Sequence, residues 1–249
     1  MKKFLMIGLS ALALSAAQSA SALDLSAMSA EEKAAFGDAV RGYLLENPEV
    51  IFEAVDVLKA QQVQEEASQD ANLVNVNAKD IFDDGYSYVG GNLEGDITLV
   101  EFMDYRCGYC RKAHTDVMQL IESDGNIRYI VKELPILGDA SVQSSKFAIA
   151  VKQLYGDEAY KSMYEALINF TGEPTSDALS QLSVTFGLDA ANILDRMESE
   201  DVLAEIANTR ALAQRLNING TPTFVLQDEL VRGYVPFEGL QQIVATKRD

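Results

Sequence analysis

The chain has 249 residues with 38 acidic and 20 basic side chains, a formal charge of −18 that makes nucleic acid and anionic membrane surfaces poor partners. It is long enough to bury a core without cross-links. Its two cysteines and single histidine total one ligand fewer than a closed four-ligand zinc site needs, so only a carboxylate-completed or intersubunit site would survive.

In chain order, Met1-Lys2-Lys3, the apolar run Phe4 to Ala17 and Ala20-Ser21-Ala22 form a basic start, a hydrophobic stretch and an A-x-A site. This is the pattern of a secretory signal peptide cut after Ala22, and its start looks bacterial. The run falls short of the roughly 20 apolar residues of a membrane span, so no membrane anchor is expected. Losing residues 1–22 removes Lys2 and Lys3 but no acid, which takes the charge from −18 to −20.

Ser29-Ala30-Glu31-Glu32 reads as a capping box, and Phe36, Ala39, Val40, Tyr43 and Leu44 follow at helical spacing. Asn47-Pro48-Glu49 ends that helix and starts another, with Ile51, Ala54, Val55 and Leu58 as its apolar stripe. Beyond Leu58 the pattern dilutes into the polar run Ala67 to Asp84, a candidate linker or solvated helix end. Residues 29–60 have an apolar face and too few residues for an independent core. That face packs either against a copy of itself or against the rest of the chain.

Ile97 to Met103, bounded by Gly95-Asp96 and Asp104, reads as a buried strand. A helix from about Cys107 to Ser123 and a strand from Ile127 to Leu134 follow, a unit that implies a parallel crossover. Asp139 to Leu216 has helical periodicity broken at Gly156, at Thr171-Gly172-Glu173-Pro174 and at Gly187, an inserted helical subdomain. Thr221–Gln227 and Leu230–Val235 alternate as two strands joined by Asp228-Glu229, and Phe237 to Lys247 closes with a helix. Strand-helix-strand, insertion, strand-strand-helix is the thioredoxin order, an α/β fold.

The chemistry gathers in Asp104-Tyr105-Arg106-Cys107-Gly108-Tyr109-Cys110-Arg111-Lys112-Ala113-His114, which holds both cysteines and the histidine. A bridge over so short a loop stabilises by at most about 2 kcal/mol, whereas an isolated thiol pair in an oxidising compartment suits disulfide exchange. Cys107 at a helix start is the nucleophile, its sulfur expected to be exposed and its thiolate favoured by free backbone N–H groups, by the helix dipole and by Arg106, Arg111 and Lys112. Cys110, one turn inside, is the shielded resolving thiol. His114 either tunes the pair or is a packed helix residue. By the period of two, Ile97, Leu99, Glu101 and Met103 share one strand face, so Glu101 is expected buried beneath the cysteines with a raised pKa, exchanging the proton of Cys110. Pro222, in Asn219-Gly220-Thr221-Pro222-Thr223-Phe224, stands at a strand entrance where its missing N–H is tolerated. Since only about 5–6% of X-Pro bonds in folded proteins are cis, a trans bond is the expectation there.

Glu101-Phe102-Met103-Asp104-Tyr105-x-Cys107-x-x-Cys110, the helical insertion and Gly220-Thr221-Pro222-Thr223 resemble the DsbA-type thioredoxin-fold proteins of the bacterial periplasm over residues 85–249. With Leu44-Leu45-Glu46-Asn47-Pro48-Glu49-Val50, the whole mature chain resembles the suppressor of copper sensitivity (ScsC) family. The resemblance implies a signal peptide over 1–22, an arm and linker over 23–84, and a thioredoxin domain over 85–249 with its insertion at about 139–216. It also implies a cis Pro222 facing the cysteines, against the trans expectation, and Glu101 as buried proton acceptor.

Gly108-Tyr109 and Thr221 before Pro222 are similar to the disulfide isomerase DsbC and unlike the strongly oxidising DsbA. A Pro-His dipeptide adds positive charge beside the nucleophile and Gly-Tyr does not, so Cys107 is expected to be less acidic and its disulfide less oxidising. The expected protein is a periplasmic isomerase or reductase of misfolded or oxidised proteins, without a cofactor, kept reduced by a membrane thiol reductase and trimeric through residues 29–60. A DsbA-like oxidase is the nearest alternative. A Cu(I)-binding copper-tolerance protein using Cys107 and Cys110, and a peptide-binding chaperone, are the others.

Overall fold

Ser29 caps the first helix, α1 (Ala30–Glu46), and the expected capping box is complete: Ser29 Oγ accepts from Glu32 N and the Glu32 carboxylate accepts from Ser29 N. The computed structural model of the protein describes residues 28–248, so the signal peptide reading lies outside the described residues. Asn47 ends α1 by donating from its side chain to the Tyr43 carbonyl, and α2 (Glu49–Val76) begins after Pro48. The chain divides into two units, 1–59 and 60–249, with the division inside α2. In the first unit α1 has no buried residue, and Phe36, Tyr43, Ile51, Phe52 and Leu58 are all exposed.

The second unit takes up part of the run expected as linker or helix end. Helix continues to Val76 and resumes as α3 (Ala78–Phe82). Val74 and Ile81 are buried with Val100, Phe102 and Leu216. Asp70 pairs in two bonds with Arg232, at 2.6 and 2.9 Å, while Lys132 donates to the Asp80 carbonyl and to Asp84. Two apolar anchors in a polar segment, with charge pairs around them, hold it on the sheet.

The sheet has five strands in the order β1-β3-β2-β4-β5: β1 (Tyr88–Gly91), β2 (Ile97–Met103), β3 (Ile127–Glu133), β4 (Thr223–Leu226) and β5 (Glu229–Arg232). Only β2 and β3 are parallel, with Leu99 beside Tyr129 and Glu101 beside Val131. β1 was not legible beforehand, because Tyr-Val-Gly-Gly lacks an apolar run. At Gly91, φ is +68° and a Cβ would sit 2.4 Å from the Ile127 carbonyl oxygen, so only glycine lets the strand pass there. The β4–β5 turn is Gln227-Asp228, one residue earlier than expected, with Gln227 at positive φ.

Between β2 and β3 runs α4 (Gly108–Asp124), which buries Cys110, Ala113, Val117 and Leu120, one face at spacings of three and four. Gly125, at φ +70°, caps it in the left-handed region. The insertion comprises α5 (Asp139–Tyr155), α6 (Asp157–Ile168), α7 (Ser176–Thr185), α8 (Ala190–Arg196) and α9 (Glu200–Arg215). Its breaks include the three expected ones and a further one at Met197–Ser199, where Ser199 caps α9. The closing helix is α10 (Phe237–Arg248).

The two faces of β2 divide the interior. Ile97, Leu99 and Met103 join the cluster that contains Cys107 and Cys110, and Val100 and Phe102 join the one that contains Val74 and Ile81. The period of two therefore delivers Glu101 to the cysteine side.

Candidate active site

Cys107 is the N-cap of α4, so it stands at the positive end of the helix dipole beside the N–H groups that the first turn leaves free, although its sulfur makes no cap hydrogen bond. Its pKa is lowered to about 5. The largest cause is the hydrogen bond from the Cys110 thiol, with the Thr221 hydroxyl and the N–H groups of Cys110 and Tyr109 adding to it against the cost of burial. Cys110 moves the other way, its thiol held protonated by its bond to Cys107, by burial and by the charge of Glu101. The pair is present as two thiols, and both are buried: Cys107 is 7% and Cys110 1% exposed. The expectation of an exposed Cys107 sulfur is thus corrected, because Thr221 stands over it with its carbonyl oxygen 3.1 Å from Sγ.

The Thr221–Pro222 peptide bond is cis, as the resemblance implied and against the trans expectation. Cys107 and Thr221, the residue before Pro222, thus meet from segments 114 residues apart in sequence. The three nearby cations do other work. Arg106 donates to the Gly172 carbonyl at 2.8 Å and pairs with Glu173, and Arg111 donates to the carbonyls of Tyr105 and Phe170. Lys112 lies 4.2 Å over the Tyr234 ring. Guanidinium groups that satisfy loop carbonyls tie the insertion to α4, and none is among the causes of the Cys107 shift.

Glu101 is fully buried, and burial, with the charges of Cys107 and Glu133, pushes its pKa up to about 7 against the hydrogen bond from Tyr129. The Tyr129 hydroxyl donates to Oε2, while Oε1 has no partner among the described residues. A second carboxyl, Glu133, was not anticipated. It lies on the same side of the sheet, its pKa also near 7 through burial, and it accepts from Tyr105 at 2.7 Å, Tyr160 at 2.6 Å and Ser145 at 2.7 Å. The Tyr164 hydroxyl stands 3.2 Å from that of Tyr129, and His114 packs edge-on against the Tyr164 ring at 5.3 Å. Burial lowers the pKa of His114, which makes it a packed neutral ring.

A signal for these tyrosines was present: along Ile127 to Glu133 the period of two sets Tyr129, Val131 and Glu133 on the face that Glu101 shares. Asp104 is also buried and ties the site together. Its Oδ1 accepts from Arg106 N at 2.8 Å and its Oδ2 from Ile136 N and Leu137 N, which fastens the loop after β3 to the turn that carries Cys107. Beside the site, Tyr109 is 65%, Leu137 53% and Ile136 41% exposed. Among the described residues no cluster of three or more His, Cys, Asp or Glu side chains has metal-binding geometry, and no helix is long and apolar enough to cross a membrane.

A family model described as thioredoxin matches residues 83–246, and one described as the copper resistance protein ScsC N-terminal domain matches residues 32–65. A thioredoxin-like oxidoreductase from Silicibacter pomeroyi is 39% identical, with a TM-score of 0.64 over 68% of this chain and 96% of that one. The thiol-disulfide exchange protein alpha-DsbA2 from Wolbachia pipientis is 28% identical, with a TM-score of 0.68 over 74% of this chain and 98% of that one. Among curated proteins, a Na(+)/H(+) antiporter (NhaA 1) of Salinispora arenicola is 27% identical over 159 residues, 64% of this chain. The chain spans about a quarter of the length of that relative, 24%.

Proposed function

The chain belongs to the thioredoxin family, as a thiol-disulfide oxidoreductase of the DsbA and ScsC type with the pair Cys107–Cys110, and on that premise we propose a protein disulfide isomerase or reductase of the periplasm. Its substrates are misfolded or oxidised proteins of that compartment. Cys107 attacks a substrate disulfide, forming a mixed disulfide and releasing one substrate thiolate. In isomerisation a substrate thiolate then expels Cys107. In reduction, Cys110 gives its proton to Glu101 and attacks Cys107, releasing the second substrate thiolate and leaving the Cys107–Cys110 disulfide for a membrane thiol reductase to reopen. Thr221 and Pro222 form the wall against which the substrate strand lies.

The observation that carries this reading is the intermediate acidity of Cys107. A pKa of about 5 lies between thioredoxin, near 7, and the oxidant DsbA, near 3.5. The more the thiolate is stabilised, the more oxidising the disulfide, so a Cys107 less acidic than that of DsbA supports a disulfide less oxidising than DsbA's. The exposed apolar side chains between residues 36 and 58, among them Phe36, Tyr43, Phe52 and Leu58, supply the second element. A homotrimer formed through this arm holds several Cys107 sites around one substrate.

The test is recovery of scrambled ribonuclease by the reduced mature protein, beside a version lacking residues 23–59. Recovery that needs both Cys107 and the arm supports an oligomeric isomerase. Rapid oxidation of reduced ribonuclease, with a potential near −120 mV, would instead make the protein an oxidase. For Cu(I), a parent and a Cys107→Ser variant that bind equally weakly would remove copper from the function of this site.

A further inference from the structure

Glu101 is sealed from solvent, and each turnover must nevertheless restore its proton. When an external thiolate attacks Cys107 in the Cys107–Cys110 disulfide, the S–S bond breaks and Cys110 leaves with the electron pair. It takes a proton from Glu101, whose free oxygen Oε1 has no other partner among the described residues. The carboxylate left behind cannot recover that proton from bulk water directly.

On the side away from Cys110, the hydroxyls of Tyr129 and Tyr164 follow Glu101 in line: Tyr129 donates to Oε2, and the two hydroxyl oxygens stand 3.2 Å apart. Both tyrosines also line a surface cavity of about 230 Å³ whose rim carries the exposed side chains Glu122, Lys161 and Glu165. A cavity of this size holds several waters.

We infer that Tyr129 and Tyr164 are a hydroxyl relay that returns protons from this cavity to Glu101. The inference rests on Glu101 serving Cys110 as proposed above. Tyr129 gives its proton to Oε2 and takes one from Tyr164, which takes one from a cavity water; the net change is one proton from solvent onto Glu101. No charged tyrosinate forms if the two shifts are concerted, which matters because burial holds both phenols far above their ordinary pKa. Rotation of the two hydroxyls runs the relay outward when Cys110 loses its proton. The groups facing Glu101 are Cys107 and Cys110 from α4 and Tyr129 and Glu133 from β3. Those around Tyr164 are Tyr105, His114 and Tyr160. Glu133 has three donors of its own and stands outside the line.

Tyr129 and Tyr164 act through Glu101 and do not touch substrate, so the test must read the proton. The full chain is oxidised and its disulfide opened by dithiothreitol, which becomes the cyclic disulfide. Samples are acid-quenched and their thiols counted by alkylation, from pH 5 to 9 and in mixtures of H2O and D2O. The parent is expected to show a curved proton inventory, as several protons move together. Above pH 7, where Glu101 starts as a carboxylate and must take its proton through the relay, Tyr129→Phe should slow opening about tenfold, a part of what one positioned proton-transfer group contributes, and make the inventory linear; at pH 5, where Glu101 already holds its proton, opening should stay near the parental rate. Tyr164→Phe should change both in the same direction by less, and it reports on the relay even if Tyr129→Phe fails to fold. Parental rates and inventories in the folded variants overturn the relay, whatever scrambled ribonuclease does. A curved inventory that Tyr129→Phe abolishes, in a protein that recovers no ribonuclease, upholds the relay and removes the isomerase.

Discussion

Phe52 in α2 is 71% exposed, and Phe102 in β2 is completely buried between the sheet and Ile81. The same contrast runs through the two units. The arm, residues 30–59, carries its aromatic and aliphatic side chains outward, whereas the domain around Cys107 seals even its titratable ones: Glu101, Asp104, Lys132 and Glu133 are all buried. The domain completes itself, because each burial is matched by a partner within the same unit. The arm does not, since a helix with an apolar stripe and nothing buried gains stability only when something covers it. In this protein, then, the chemistry belongs to one unit, and the other presents the apolar face that the proposed assembly would cover.

The comparison breaks most visibly at the sulfur. Cys107→Ser should reduce thiol exchange to the uncatalysed rate, measured on a small disulfide, with the oligomer unchanged. Next comes the pair of phenylalanines. Phe102→Ala should destabilise the domain by about 3–5 kcal/mol in chemical denaturation. Phe52→Ala should leave the same transition within about 0.5 kcal/mol and raise the monomer fraction in light scattering. If Phe52→Ala instead lowers the domain's stability as Phe102→Ala does, the arm is not an independent assembly element.

A smaller effect tests the sealed carboxyl. In the folded protein Glu101 keeps its proton up to about pH 7, while the unfolded carboxyl loses it near 4.5. Between those values the native state binds more protons, so this group's contribution to stability is full below 4.5 and is lost as pH rises through 7. Glu101→Gln should therefore gain stability relative to the parent from pH 5 to pH 8, as read by denaturation at both values. Cys107 works in the opposite sense, its depressed pKa favouring the native state as pH rises above about 5. It does so in both proteins, so only the part coupled to the Glu101 charge remains in the difference. The smallest expected effect is none at all: removing residues 23–59 should leave the pH profile of Cys107 alkylation, with its midpoint near 5, where it is in the full chain. A shifted midpoint would mean that the arm takes part in the chemistry.

Much of this was legible along the chain because it depends on neighbours in sequence. Ile97 to Met103 announces a buried strand, its alternation turns Glu101 toward the cysteine side, and Cys107-x-x-Cys110 at a helix start separates an acidic thiol from a shielded one. The capping box at Ser29 and Glu32 is likewise local. What failed to appear needed partners far away. The cations Arg106, Arg111 and Lys112 look like stabilisers of the thiolate, yet the carbonyls of Gly172 and Phe170 and the ring of Tyr234 claim them. Residues 67–84 read as polar linker because their core contacts, Leu73 and Val74 and then Ile81 and Phe82, are two short pairs set among polar residues and separated by the helix break at Asn77.

By itself the sequence determined the thioredoxin order of elements, the redox pair and the carboxylate beneath it, since periodicity and spacing act over a few residues. Tertiary structure alone decided that Thr221 covers Cys107, that Glu133 becomes a second buried acid, and that Tyr129 from β3 and Tyr164 from α6 line up behind Glu101. Those contacts join residues 12 to 114 positions apart. At such separations the packing of helices on the sheet, and not the local pattern, selects which side chains meet.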